Sequence, residues 1–509
     1  MCTITTRSIP RVMGGIVCAL VLSVALASGQ TNIGIITDGA VRDAGPHPVI
    51  VFNADTDTII GTVVLNLTSE GFLHDAVIVP GAFQAFVTSS SVVPLSGGAM
   101  WVIDLSPVVA ALAGGINPIV MANPGTDIAV TPDHRFIVAS DGTTGFPPIV
   151  DAPPMSVVEV ATRLEVSTFA TISDNSAVDV CENNSVLMAS NNGLVVRRLS
   201  VNSAGTLSDT GESSPIKALN VACAPGSTFG VAVGAPDPGP TPGLITSFAM
   251  PGLTTVDARA LSASFGQTAL MTPAGDRVYV RSAGGAVDVF TYDPAAGTLG
   301  AAPLLTIPIA PFVDFDGDII QAFGQDLIAL HPNGNKLYVS EPNAVRVFDA
   351  HTGALLTSIT DPNIREPLGL AVATLPNRPP LCTAAAATPS TVQTPVNHEL
   401  VAVSISGVTD PDGEPVTLAV TSVFQDEPVS APGGGAGATA PDATLVPLAV
   451  RQERDGTGDG RVYHIGFTGA DGKGGTCSGT VKVCVARDGQ SGAACGDGGP
   501  LFNSLVQGG

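Results

Sequence analysis

The chain has 509 residues, of which 45% are hydrophobic and only 13% are charged, and it contains 58 glycines and 41 prolines. This length suits two or three domains, and many short apolar runs between glycines and prolines favour β-strands over helices. The formal net charge of −23 argues against nucleic acid and anionic membrane surfaces as partners, because like charges repel.

The N-terminus has the pattern of an export signal. Arg7 and Arg11 precede an apolar run from Val12 to Ala27, which ends in the small-residue cleavage pattern Ala25-Leu-Ala27. The run is too short, and too soon followed by polar sequence, for a transmembrane anchor. Residues 1–29 are therefore predicted to be a signal peptide, and the mature chain is predicted to be secreted or periplasmic.

A strand–turn–strand unit recurs through most of the chain. Its clearest copy lies between His331 and Ile359, where the turn Pro332-Asn-Gly334 precedes the strand Leu337-Tyr-Val339. Tyr, Val, Ile and Phe favour strands, and Pro, Asn and Gly favour the turns between them. Strands this short must stack against further copies. The turns of six copies begin at Val79, Thr131, Cys181, Cys223, Thr272 and His331.

A seventh unit is divided between the two ends of this region. Three of its strands lie at Ile33–Ile36, Val49–Phe52 and Ile59–Leu65, and the missing inner strand is Leu368–Val372. A sheet built from both ends closes a ring and removes free strand edges. The predicted fold is all-β, with a seven-bladed β-propeller over residues 30–375 that is closed by this split blade.

Three segments, Tyr338-Val-Ser340, Tyr279-Val-Arg281 and Val345–Asp349, resemble the Tyr-Val-Thr-Asn repeat of bacterial propellers. Lactonase-like propellers belong to the same broad group. The resemblance covers most of residues 32–375. It implies the propeller fold but no particular activity.

Residues 376–381 form a proline-rich linker, after which the sequence changes. Residues 382–498 resemble an immunoglobulin- or cadherin-like module found at the C-terminal ends of exported bacterial proteins, which implies a β-sandwich with an adhesion-type role. The segments that carry this resemblance are Val408–Gly413, Phe424–Pro428 and Gly469–Gly475. Residues 499–509 are predicted to be a short tail.

Six cysteines follow the signal peptide, and an even number in an exported chain indicates disulfides. Cys181 and Cys223 occupy the same position in neighbouring units, so we expect them to be bonded. Two pairings remain open for the other four, and the first is preferred: Cys382–Cys477 with Cys484–Cys495, or Cys382–Cys484 with Cys477–Cys495.

Polar residues mark the mouth of the predicted channel, where the inner strands begin. Long loops occupy the same face, and elaborated loops on a rigid scaffold commonly carry function; they are 89–98, 141–154, 234–242 and 311–325. The candidate binding residues are His74, Asp75, Asp127, Asp179, Lys217, Gln267, Arg281, Gln325, Asp326, Glu341, Arg365 and Glu366. Such a ring either holds a small polar ligand or is a solvated rim of turn residues.

Acidic loops in the C-terminal module are a candidate calcium site. The cadherin-like resemblance implies that Asp410, Asp412 and Asp471 gather at one end of the sandwich. Carboxylate oxygens are ligands that Ca²⁺ prefers. The alternative is that these residues belong to ordinary Asp-Gly turns.

Sequence signatures of enzymes are mostly absent: there is no Gly-x-Ser-x-Gly motif, and the mature cysteines and histidines lack zinc spacing. No catalytic residue is assigned. We expect an exported recognition or scaffold protein that binds an extracellular or periplasmic protein, a glycan or a small polar ligand on its loop-rich face. The alternatives are a lactonase-like hydrolase acting at the channel mouth and a purely structural envelope component.

Overall fold

The computed structural model describes residues 31–40, 45–67, 71–91, 98–106, 116–121, 125–140, 154–170, 177–190, 195–234, 242–311, 325–392, 398–429, 439–487 and 495–506. The predicted signal peptide and much of the predicted long loops lie outside these residues. Within them the regular elements are β-strands, apart from one 3₁₀ turn at Pro80–Ala82. No helix among the described residues has the length and apolar character needed to cross a membrane.

Three strands come first, β1 (Asn32–Asp38), β2 (Gly45–Asn53) and β3 (Thr58–Leu67), and six antiparallel sheets follow in chain order. The first three of these sheets are β4 (Gly71–Val79), β5 (Gln84–Ser91), β6 (Gly98–Asp104) and β7 (Ile116–Met121); β8 (Asp127–Val130), β9 (Phe136–Ser140), β10 (Met155–Glu159) and β11 (Leu164–Phe169); and β12 (Ala177–Val180), β13 (Ser185–Ser190), β14 (Val195–Val201) and β15 (Leu207–Ser214).

The next three sheets are β16 (Asn220–Cys223), β17 (Phe229–Gly234), β18 (Pro242–Ala249) and β19 (Thr254–Ser264); β20 (Gly266–Met271), β21 (Arg277–Ser282), β22 (Ala286–Asp293), β23 (Thr298–Leu299) and β24 (Leu305–Pro308); and β25 (Ile328–Leu330), β26 (Lys336–Glu341), β27 (Ala344–Asp349) and β28 (Leu355–Ile359). Second strands are buried on both faces, as in β13, where all six residues are buried. Each sheet is therefore covered on both sides by its neighbours.

The strand β29 (Pro367–Thr374) returns to the start of the chain and pairs antiparallel with β1. Ile33 lies opposite Ala373 and Ile36 lies opposite Leu370, so both chain ends build one four-stranded sheet in the order β29-β1-β2-β3. The sequence predicted this pairing from the missing inner strand of the N-terminal unit.

The first strands of the sheets contact one another in a cyclic order: β29 with β4, β4 with β8, β8 with β12, β12 with β16, β16 with β20, β20 with β25, and β25 with β29. Every pair of neighbouring sheets also shares its own cluster of buried apolar side chains. Apolar burial between sheets is the main source of stability in such an arrangement.

Hydrogen bonds join the last complete sheet to the turn between β2 and β3. The buried Tyr338 hydroxyl lies 2.7 Å from the Ala54 carbonyl oxygen and 2.8 Å from Asp57 Oδ1. Lys336 Nζ donates to the same carbonyl at 3.0 Å and to Asp57 Oδ2 at 2.8 Å. The Tyr-Val-Ser segment that carries the repeat resemblance therefore also closes a junction between the two ends of the region.

Replacing Tyr338 by Phe tests this junction. Because the substitution removes a buried donor and deprives Asp57 Oδ1 of its hydrogen bond, we expect the free energy of unfolding in urea to fall by about 1–3 kcal/mol. Tyr292→Phe is the matched control, since the Tyr292 hydroxyl meets Ser247 Oγ at a longer distance of 3.3 Å. Equal losses in the two variants would contradict a special role for the Tyr338 hydroxyl.

The described residues of the C-terminal unit form ten strands: β30 (Ala386–Thr388), β31 (Thr391–Val392), β32 (Leu400–Ala402), β33 (Ser404–Ser406), β34 (Thr417–Gln425), β35 (Ala443–Leu445), β36 (Leu448–Arg451), β37 (Arg461–Ala470), β38 (Thr476–Val485) and β39 (Phe502–Asn503). They form the sheets β31-β38-β37-β34-β39 and β32-β36-β35 and the pair β30-β33, around one shared apolar core. Because β39 pairs with β34, part of the segment predicted as a tail is an edge strand.

Three disulfides are present, and they are Cys181–Cys223, Cys382–Cys477 and Cys484–Cys495. The first joins the ends of the neighbouring strands β12 and β16, as predicted, with 5.4 Å between the two Cα atoms. The other two are the preferred pairing for the C-terminal unit.

Candidate functional site

A cavity of about 350 Å³ lies between the first strands of the sheets. Its wall is mostly apolar, and the polar side chains on it include those of Asp179, Asn220 and Asp326. At its other end the lining includes Pro225 and Pro273, which belong to turns that follow first strands. The cavity therefore extends toward the face opposite the predicted long loops.

Three of the predicted aspartates connect adjacent first strands. Each accepts a hydrogen bond from a backbone N–H of the next sheet: Asp75 from Ile128 at 3.3 Å, Asp127 from Val178 at 2.8 Å, and Asp179 from Cys223 at 2.7 Å. A carboxyl oxygen that accepts a hydrogen bond from an N–H group of the next sheet stabilises the contact between the two sheets. These carboxylates thus have a structural role whether or not a ligand binds.

Burial raises the pKa values of the aspartates in and beside the cavity. Burial raises the pKa of Asp75 to about 7, and its side chain is hydrogen-bonded to that of Asp127. Burial, together with the charges of Asp75 and Asp326, raises the pKa of Asp127 well above its usual value. The pKa of Asp326 is raised in the same way, first by burial and then by Asp75 and Asp179. Each of these carboxyl groups therefore keeps its proton to a higher pH than an exposed aspartate does.

The end of the channel where the first strands begin is crossed by polar contacts. Gln325 Nε2 lies 3.2 Å from His74 Nδ1, and the Asp326 N–H donates to Asp75 Oδ1 at 3.4 Å. Both contacts join the sheet that begins with β4 to the sheet that begins with β25. These two sheets lie on either side of the split sheet. Burial lowers the pKa of His74 to about 3, so its imidazole is neutral at neutral pH.

The other predicted residues lie apart from this group. Arg281 is fully buried between two sheets, where its Nη2 donates to the Ser340 carbonyl at 3.1 Å and its Nη1 contacts Gln267 Oε1. Burial lowers the pKa of Arg281 to about 9. Arg281 and Gln267 therefore contribute to an interface between sheets, and this differs from their predicted place on a ligand-binding rim.

The remaining candidates pair locally. Arg365 Nε lies 3.3 Å from Asp38 Oδ2, and the Glu366 N–H donates to Asp38 Oδ1 at 2.9 Å. The Glu341 carboxylate pairs with Arg346 at 3.3 Å, and Lys217 is half-buried on the segment before β16. The predicted ring thus divides into the channel group of His74, Asp75, Asp127, Asp179, Gln325 and Asp326 and several separate pairs.

Sequence reasoning missed two residues that act as the channel aspartates do. Asn220 Oδ1 accepts from the Ala269 N–H at 3.0 Å, and Thr268 Oγ1 donates to the Gln325 carbonyl at 2.9 Å. Thr268 lies four residues before the start of its turn, as Asp75 and Asp127 do. Comparing that position across the units would have found Thr268.

The predicted calcium residues are only partly together. Oxygen atoms of Asp410 and Asp471 lie within 4.8 Å of each other and of Glu414. Asp412 instead accepts hydrogen bonds from the N–H and Nε of Arg378, at 2.7 and 2.8 Å. A calcium site there stays a prediction, and its carboxylates already have cationic or N–H partners.

Comparison with known proteins shows the fold and no more. No protein-family profile matches the chain, and no curated protein matches it. A functionally unknown protein from Desulfotomaculum acetoxidans aligns with a TM-score of 0.53 and 19% identity, over 68% of this chain and 100% of that chain. A periplasmic gluconolactonase from Pseudomonas aeruginosa aligns with a TM-score of 0.51 and 12% identity, over the same shares. The chain therefore has a lactonase-like β-propeller fold.

Proposed function

We propose that the mature chain is an exported recognition protein whose propeller binds a small ligand through its central channel. The observation that carries this proposal is the set of polar side chains on the cavity wall, those of Asp179, Asp326 and Asn220, which lie among mostly apolar side chains. A concave apolar site with a few convergent polar groups is the usual form of a small-molecule site.

The finer architecture is part of the proposal. Residues 30–375 form a seven-bladed propeller of the Tyr-Val-Thr-Asn type, closed by the split blade, and the cyclic contacts of the first strands support this count. Residues 382–498 form an immunoglobulin- or cadherin-like sandwich with an adhesion-type role, which the shared core of its two sheets supports. The three disulfides and the N-terminal export pattern support a secreted or periplasmic location.

The ligand should be a cation or a molecule rich in hydrogen-bond donors. No lysine or arginine is among the described residues that line the cavity, whereas two carboxyl groups are. Once these carboxyl groups ionise, an anion there would meet like charge in a poorly hydrated space. An amine would instead favour the ionised carboxylates, so its binding should strengthen as the pH rises.

A lactonase-like hydrolase is the second candidate. The similarity to a periplasmic gluconolactonase favours it, and the raised pKa of Asp326 would let its carboxyl group donate a proton to a bound carbonyl oxygen. Lactone hydrolysis gives an anionic product, and the same carboxyl groups would repel it when they are ionised. This repulsion would favour release of the product from the cavity.

Thermal shift with defined probes tests the proposal. We expect ethanolamine and spermidine to raise the melting temperature of the wild type, because a ligand that binds only the folded state stabilises it. The double variant Asp179→Asn with Asp326→Asn should lose this response, whereas Asp133→Asn, in an exposed turn, should keep it. An equal response to gluconate would contradict the proposed charge preference.

A parallel assay distinguishes the two candidates. The recognition proposal expects D-glucono-1,5-lactone to be hydrolysed no faster with the protein than with buffer alone. Enzymatic turnover that is lost in Asp326→Asn and retained in Asp133→Asn would overturn it in favour of the lactonase.

A further inference from the structure

A second cavity, of about 530 Å³, lies between the sheet that contains β24 and the sheet that contains β27 and β28. Ile307 and Ile309 form one of its walls, and Phe348 and Leu355 form the other. We call this cavity the outer cleft. None of the described residues that line it also lines the channel cavity. The outer cleft is therefore a separate site, and its volume lies within the range of about 300–1,000 Å³ that small-molecule sites occupy.

The walls of the outer cleft are apolar. Ile307 and Phe348 are buried and belong to the apolar cluster that the two sheets share. Leu355, by contrast, is 52% exposed at the rim. The shared core thus continues into a space that its own side chains do not fill. An apolar group that enters this space removes the walls from water, which favours binding.

One ion pair adjoins the apolar walls. Glu341 ends β26 and Arg346 lies on β27, and both side chains line the outer cleft. Arg346 Nε lies 3.3 Å from Glu341 Oε2, and Arg346 Nη1 donates to Ser358 Oγ at 3.1 Å. Neither contact uses Nη2, and 39% of the Arg346 side chain is exposed. The guanidinium group can therefore donate to a ligand and keep both contacts.

The charge beside this ion pair favours an anion. Burial lowers the pKa of Arg281 to about 9, and the negative charge of Glu341 opposes this shift. Arg281 therefore stays a cation at neutral pH, and Glu341 lies near two guanidinium groups. No charged side chain besides Glu341 and Arg346 is among the described residues that line the cleft. The local surplus is thus positive, although the whole chain carries a formal net charge of −23.

We propose that the outer cleft binds a small amphipathic carboxylate, such as a free medium-chain fatty acid, with its carboxylate on Arg346 and its alkyl chain between the apolar walls. Guanidinium and carboxylate groups form strong, charge-assisted hydrogen bonds. An anion without an apolar part would gain only this half-exposed contact, and an uncharged alkyl chain would gain only the walls. The occupant has the opposite charge to the ligand proposed for the channel, so the two proposals can fail separately.

Calorimetric titration of the full mature chain with sodium octanoate, sodium hexanoate and octanol at neutral pH tests the proposal. We expect octanoate to bind about 15-fold more tightly than hexanoate, because each of its two additional methylene groups adds about fourfold when buried. Octanoate should also bind more tightly than octanol. General adsorption to an acidic protein would give the reverse order, since octanol is more apolar and is not repelled.

Arg346→Met tests the carboxylate contact. The variant keeps an apolar stem but loses the donors, so the affinity for octanoate should fall by about tenfold or more while that for octanol stays the same. Arg135→Met is the matched control, because Arg135 also belongs to an exposed arginine–glutamate pair, with Glu159 at 3.8 Å. Its affinity for octanoate should equal that of the wild type.

Leu355→Asp tests the apolar wall, since it removes part of the wall and adds a negative charge; octanoate binding should be lost. Leu164→Asp is the matched control, because both leucines begin the outer strand of a sheet and they are 52% and 61% exposed. This control should bind octanoate as the wild type does. The channel variant Asp179→Asn with Asp326→Asn should also keep octanoate binding, which separates this site from the one proposed for the channel.

Two calorimetric results would overturn the proposal. One is octanoate binding that is absent or no tighter than octanol binding, and the other is an equal loss of affinity in Arg346→Met and Arg135→Met. Photolabelling of the wild type with an octanoate analogue that carries a diazirine decides the matter if a variant fails to fold. Labels on β24 or β28 would support the site, and labels found only elsewhere would contradict it.

Discussion

Replacing Gly369 by Ala is expected to lower the free energy of unfolding by about 3 kcal/mol or more. Gly369 lies on β29, the strand that completes the split sheet, and a Cβ atom there would lie 2.5 Å from the His74 carbonyl oxygen and 2.7 Å from Asp75 Cα. Both are backbone atoms of the neighbouring sheet, so a side-chain rotation cannot relieve the overlap. Urea unfolding followed by intrinsic fluorescence would measure the loss.

Gly81→Ala is the matched control for this substitution. Gly81 lies in the 3₁₀ turn after β4, and a Cβ atom there would meet nothing within 4 Å. Its stability should change by less than about 0.5 kcal/mol, as for most surface positions. If Gly369→Ala were equally harmless, β29 could not pack against β4 as closely as described, and the junction of the two chain ends would have to be reconsidered.

The second large effect is a fall in stability as the pH rises above 6.5. The folded pKa of Asp75 is raised to about 7, and those of Asp127 and Asp326 are raised well above their usual value. The folded state therefore holds protons that the unfolded state has released, and its advantage is lost as the pH rises through the folded pKa values. Each excess proton contributes up to about 1.4 kcal/mol per pH unit.

His74 acts in the opposite direction over a different window. Burial lowers its pKa from 6.5 to about 3, so the folded state binds fewer protons there and stability rises with pH between those values. Below pH 6.5 this effect offsets that of Asp75, whose window begins near 4. The fall in stability is therefore expected to be clearest above pH 6.5, where His74 is neutral in both states.

Asp127→Asn separates these contributions. The amide keeps an acceptor for the Val178 N–H and gains a donor for Asp75, so the fold should persist while the slope of stability against pH decreases. Asp133→Asn, in an exposed turn, should leave the slope between pH 6.5 and 9 unchanged. A wild type whose stability is constant over this range would show that the channel carboxyl groups are ionised when folded.

The repeat could be predicted because turns and strands depend on local chemistry. Pro332-Asn-Gly334 and its counterparts located the strands, and the missing inner strand of the N-terminal unit predicted the partnership with Leu368–Val372. The bond between Cys181 and Cys223 followed from their equivalent positions in neighbouring units. Each of these inferences needed only the period of the pattern.

The site was harder to predict because it depends on the direction of each side chain. Arg281 and Asp326 both lie near strand ends on the predicted rim, yet Arg281 is buried between two sheets whereas Asp326 lines the cavity. The pairing of Asp412 with Arg378 depends on the path of the linker, which no periodicity encodes. Sequence reasoning therefore proposed a set of polar candidates but could not assign their partners.

The pairing of β29 with β1 also has a consequence for synthesis and export. The ribosome must add more than 300 residues after β1 before its partner strand emerges, so the sheet edge of β1 stays open during that time. A nascent chain in this state would be prone to join other chains edge to edge. If the chain is exported as proposed, translocation before folding, followed by the pairing of β29 with β1 outside the cytoplasm, would keep that edge away from other newly made proteins.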